Sequence, residues 1–113
     1  KHTYANSEEG DAGAIVCCSQ AIHGIIRAND ALCMKFFGHK PTRHDDAAIF
    51  FAKLIREGKL PRSAASFKNL VAKAMRDKSG ADYGKSSFSR GEAQEYVERT
   101  EEFAAMAKDV VKR

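Results

Sequence analysis

Imidazole is the side chain best suited to moving protons near neutral pH, so the histidines are weighed first. They stand at His2, His23, His39 and His44, and none lies beyond position 44. Arg43 precedes His44 directly. At the entrance to a helix, this pair is a candidate for contacting a ligand phosphate. The plainer alternative is a helix-entry residue that hydrogen-bonds locally. His23 and Arg27 lie one helical turn apart and read as ordinary surface neighbours. Asn29 and Asp30 interrupt an apolar run. They are expected to form a structural hydrogen-bond network, with Arg76 or Arg27 as its partner. Asp82 and Tyr83 follow a basic helix. They offer either a ligand-contacting corner or a loop cap beside a ring laid over the core edge.

Cys17, Cys18 and Cys33 sit in apolar helical sequence, with no C-x-x-C pair and no histidine at ligand spacing. They predict reduced, buried thiols in a cytoplasmic protein rather than a metal site. No glycine-rich phosphate loop, G-x-S-x-G elbow or H-E-x-x-H motif occurs. No cofactor and no metal are therefore expected.

The elements that would position these residues come from one short chain. Its 113 residues suit a single domain, 1–113. About residues 1–8 are expected to be disordered or a truncated start. Hydrophobic residues make up 43% and charged residues 30%, which argues against a disordered chain. The apolar run from Ala12 to Cys18 is too short to span a bilayer, and no basic segment before it marks a signal peptide. The formal charge of +4 is uneven. Residues 1–52 carry five basic and six acidic side chains, 53–90 ten and three, and 91–113 four and six. The basic middle segment is a possible phosphate-attracting face, or simply a solvated helix surface.

Two prolines, eighteen alanines and no period-two alternation predict an all-α chain. A first helix is read from about 9 to 37, with Ile15, Ser19, Ile22, Ile26, Asn29, Cys33 and Phe37 on one face and Gly38 as its stop. A second is read from about 45 to 57, with Thr42 and Asp45 as a capping box and Gly58 at its end. A third is read from about 63 to 78, with Phe67, Leu70, Val71, Ala74 and Met75 inward and Ser79-Gly80 closing it. A loop follows over 79–88. The fourth spans about 91–112 behind a Ser89–Glu92 capping box. Short connections predict an antiparallel up-and-down four-helix bundle. Small residues on the facing stripes allow the axes to approach closely.

Three passages resemble one family in order and spacing. Ala21-Ile22-His23-Gly24-Ile25-Ile26-Arg27-Ala28-Asn29-Asp30-Ala31-Leu32 resembles the alanine-rich second helix of HEPN domains. Pro41-Thr42-Arg43-His44 resembles their P-x-x-H connection. Ala81-Asp82-Tyr83, a polar loop, Ser89 and Glu92-Ala93 resemble their A-D-Y … S-x-x-x-A passage. The resemblance covers about residues 12–112. It implies an HEPN-like bundle with one further helix upstream, in keeping with a chain that begins at Lys1. It also implies a homodimer and functions tied to RNA, in ribonucleases or beside a minimal nucleotidyltransferase. Active members carry an Arg, four to six residues, then a His, for metal-independent cleavage at the 2′-hydroxyl. That spacing is absent here. At the matching place stands Arg76 with no histidine after it. The expectation is a non-catalytic domain that binds a partner protein, either itself or a nucleotidyltransferase, with some RNA affinity and no membrane. The alternatives are a ribonuclease with a non-standard site and a structural homo-oligomer. The candidate cleft residues are Arg43, His44, Arg76, Asp82 and Tyr83.

Overall fold

The structure is a computed structural model that describes residues 12–82 and 89–113, and all regular structure among them is helical. Four α-helices follow in order: α1 (Ala12–Phe37), α2 (His44–Arg56), α3 (Lys68–Asp82) and α4 (Arg90–Lys112). A 3-10 helix, Arg62–Phe67, leads into α3.

The glycine stops act as expected. Gly38 and Gly58 have φ of +82° and +73°, a left-handed conformation that suits glycine after a helix. The Gly38 N–H donates to the Met34 carbonyl at 3.1 Å, and the Gly58 N–H to that of Ile55 at 3.0 Å. At the start of α4 the Ser89 hydroxyl accepts from the Glu92 N–H at 3.0 Å. Two boundaries differ from expectation. α2 begins at His44 with Arg43 in the cap position and no side-chain cap bond, so Thr42 lies one residue too early to cap. α3 runs through Ser79-Gly80 to Asp82. A glycine inside a helix costs only about 1 kcal/mol relative to alanine and does not by itself end one. Asp82 thus closes a helix and does not sit in a loop, while Tyr83 lies outside the described residues.

The core is aromatic at its centre. The Phe103 ring lies 5.4 Å from that of Phe51 and 5.3 Å from that of Phe67. Around them Ile22, Ile25, Leu32, Leu54, Val71 and Val110 are fully buried. On α3 the predicted stripe is the buried one. On α1 the buried line is Ala14, Cys18, Ala21, Ile22, Ile25, Asn29, Leu32 and Cys33, rotated by about one residue from the predicted face. Asn29 donates from Nδ2 to the Ala47 carbonyl at 3.1 Å. The partner of Asn29 is therefore the α2 backbone, and Arg27 and Arg76 are both exposed.

Helix directions follow from the contacts. Arg99 donates to the Ser66 carbonyl and Lys73 to Glu92, so α3 and α4 run antiparallel. Gly13 and Cys17 share a hollow with Arg90 and Val97, whereas Ala28 and Ala31 share one with Ala104 and Lys108. Positions rise together on both helices, so α1 and α4 run parallel. The strict up-and-down alternation is met by α3 and α4 and not by α1 and α4. The reason is α2. At 13 residues it is about 20 Å long, and it crosses the last third of α1, where Ala47 meets Asn29 and Phe50 meets Phe37. The return run falls to α3, and α4 then follows the direction of α1.

Candidate functional site

The structure separates the residues singled out in the sequence. Arg43 is exposed beside the start of α2, which meets α1 at Asn29. Arg76 is exposed on α3, next to Asp77, whose charge reaches Cys18. Positions 18 and 29 lie about 16 Å apart along α1, at 1.5 Å rise per residue. No hydrogen bond or ion pair joins Arg43 to Arg76 among the described residues. His44 and Asp82 mark the first turn of α2 and the last of α3, and their side chains lie outside the described residues. His23 is exposed, as read, and the His39 ring packs 5.7 Å from Phe50.

Between α3 and α4 lies a polar cluster that sequence reasoning missed. Lys73 donates to Asp77 at 2.9 Å and to Glu92 at 3.0 Å. The Tyr96 hydroxyl donates to Asp77 at 2.7 Å. The Lys73 ammonium also lies 5.1 Å from the centre of the Tyr96 ring. Burial lowers the Lys73 pKa, but its bonds to Asp77 and Glu92 outweigh burial and hold it above its ordinary value. Burial, then the bond to Asp77, pushes the Tyr96 phenol up. Burial foremost, with Glu92 adding to it, pushes the Cys18 thiol from 9.0 to about 11. Cys33 rises to about 11 for the same first reason, with Asp30 adding. At neutral pH Lys73 is an ammonium, Tyr96 a phenol and Cys18 a protonated thiol. The hydrogen bonds of Lys73 and Tyr96 tie α3 to α4. Only the Lys73–Asp77 spacing was visible in the sequence, since the bonds to Glu92 and from Tyr96 each span 19 positions.

The adjoining hollow, about 320 Å³, is lined by Ser66, Asn69, Lys73, Glu95, Tyr96 and Arg99. Its cations are taken: Arg99 bonds Glu102 at 2.7 Å and lies 4.7 Å from the centre of the Phe67 ring. It does not present charge to a phosphate.

The α1–α4 side differs. A groove of about 420 Å³ runs between the two helices over Gly24, Ala28, Ala31, Ala104, Ala107 and Val111. Arg27, Lys108 and Lys112 rim it, and none of the three forms an ion pair among the described residues. Small side chains make the groove. A Cβ on Gly24 would stand 3.2 Å from Thr100 Cγ2, so the helices approach closely and leave a shallow trough. A second hollow of about 530 Å³ continues the crease towards Gly13 and Gly91. Val111, 40% exposed, lines the groove, and Val16 and Met34 are exposed on α1. Small residues on facing stripes are visible in the sequence, but only the helix directions bring them into one trough.

Among the described residues no group of histidine, cysteine and carboxylate side chains could hold a metal ion. No helix among them is long and apolar enough to cross a membrane. Comparison with protein-family models, curated proteins and solved structures finds no match in any of the three.

Proposed function

We propose that this chain is a non-catalytic, HEPN-like helical domain of the cytoplasm. It holds a partner protein, its own copy or a minimal nucleotidyltransferase, in an RNA-related or toxin–antitoxin-like system. The observation that carries this reading is the α1–α4 groove, an apolar trough of small side chains rimmed by three cations that form no ion pair among the described residues. Such a surface gives a helix close contact and fixes its register by charge. The hydrogen bonds that engage Lys73 and Tyr96 support the non-catalytic half of the reading.

One feature favours RNA affinity beside it. Lys53, Arg56, Lys59, Arg62, Lys68 and Arg76 are all exposed. Cations exposed along α2, the connection and α3 can meet phosphate, which a purely structural oligomer does not require. Labelled single-stranded RNA, incubated with the purified chain in chelator, is expected to stay intact. Its retention is expected at 50 mM salt and to fade by about tenfold or more at 200 mM, as counterion release requires. Cleavage that disappears in His44→Ala would instead establish a ribonuclease with a non-standard site.

A further inference from the structure

The outward stripe of α4 reads Gln94, Glu98, Glu101, Ala105, Lys108 and Lys112, at steps of three and four residues, and all six are exposed. It is acidic before the alanine and basic after it. The helix dipole favours Lys112, in the last turn, but does not account for the acidic half. Its influence fades within the first and last turns, whereas Glu98 and Glu101 stand in the third and fourth turns of α4 (Arg90–Lys112). Nor does the helix neutralise Glu101 and Lys108 internally. Three and four residues from Glu101 stand Val97, Glu98, Ala104 and Ala105, and around Lys108 stand Ala104, Ala105, Val111 and Lys112. Opposite charges at those spacings would be needed for pairing along the helix.

We infer that the groove face is an isologous interface with a second copy of this chain, its two α4 helices antiparallel about a two-fold axis at Ala104–Ala105. The inference rests on the partner-binding reading and names the partner. A two-fold axis between positions 104 and 105 sets Glu101 against Lys108 of the other copy, and Glu98 against the turn holding Val111 and Lys112. Arg27 lies near the level of the axis, since Gly24 packs on Thr100, and adds a cation to the groove that Lys108 and Lys112 line. Isologous symmetry repeats each pairing twice. The two alanines at the axis let the helices approach to about 8 Å, and Val111 and the groove floor supply the apolar contact. The 23-residue α4 beside α1 offers a face of about 34 Å by 20 Å, on the order of 700 Å². That is close to the roughly 800 Å² per partner of a stable complex.

Sedimentation equilibrium of the full chain tests this, with helix content checked by circular dichroism. The wild type is expected to be a dimer whose dissociation constant rises with salt. Glu101→Lys alone and Lys108→Glu alone should each weaken it about tenfold or more, because each replaces two attractions with two repulsions. The double variant E101K/K108E should return to within about threefold of the wild type. A wild-type monomer at 100 μM overturns the inference, as does a dimer indifferent to the single reversals or unrescued by the double. None of these outcomes touches the non-catalytic reading, which fails on RNA turnover and not on chain mass.

Discussion

Phe103→Ala is expected to lower the unfolding free energy by about 3–5 kcal/mol. The ring is fully buried and stands between Phe51 and Phe67, so it joins α4 to α2 and to the 3-10 entry of α3. Its removal loses apolar burial and leaves a cavity that three separate elements would have to close at once. Edge-to-face geometry at 81° with Phe51 adds about 0.5–1.5 kcal/mol that alanine cannot replace. Domains of this size carry about 5–15 kcal/mol in all, so the variant stands near the limit of folding. Urea denaturation measures the loss as a lower midpoint at unchanged slope. A loss below about 1 kcal/mol would show that the aromatic centre does not hold these elements together.

Asn29→Asp is the second large effect, and it depends on pH. Asn29 is fully buried, and its Nδ2 reaches the Ala47 carbonyl. A carboxyl in that place turns an oxygen towards an oxygen and, once ionised, buries a charge. Burial raises the folded pKa of the new group above its unfolded value of about 3.9. A group so raised binds its proton more tightly in the folded state. Stability is then retained below pH 4 and lost as pH rises through the raised value. The expected cost is about 3 kcal/mol or more at pH 7, as for an uncompensated buried charge, shrinking towards pH 4. Thermal unfolding of both proteins across pH 4–8 measures it. A constant difference over that range would mean that position 29 is solvated.

How much of this was legible in the sequence varied from helix to helix. On α3 apolar and polar residues separate cleanly, and Phe67, Leu70, Val71, Ala74 and Met75 could be read as the inner face. Ser89 and Glu92 marked the start of α4, because a capping hydroxyl acts within three residues. On α1 four apolar residues follow one another from Ile15 to Cys18, so the period is clear and its phase is not. That helix packs against α2, α3 and α4, and a wide buried face gives no single stripe. The parallel course of α1 and α4 was hidden for another reason. It depends on α2 crossing α1 rather than running back along it, and helix length alone did not reveal that angle. The tie from Lys73 and Tyr96 across to α4 is a matter of register between two helices, which neither helix encodes alone. Of the candidate cleft residues, Arg43 and Arg76 were joined by motif order, and both are exposed.

The self-association proposed for the α1–α4 face predicts that a second copy of this chain is held there. Cysteine crosslinking reads it most directly. An axis at Ala104–Ala105 brings each copy's position 105 close to its own counterpart, whereas Glu95 faces the hollow beside α3. Under mild oxidation A105C should give a covalent dimer of twice the 12.4 kDa chain, reversed by reductant, while E95C and the wild type stay single. Monomeric A105C, or crosslinking through E95C to the same extent, would contradict it.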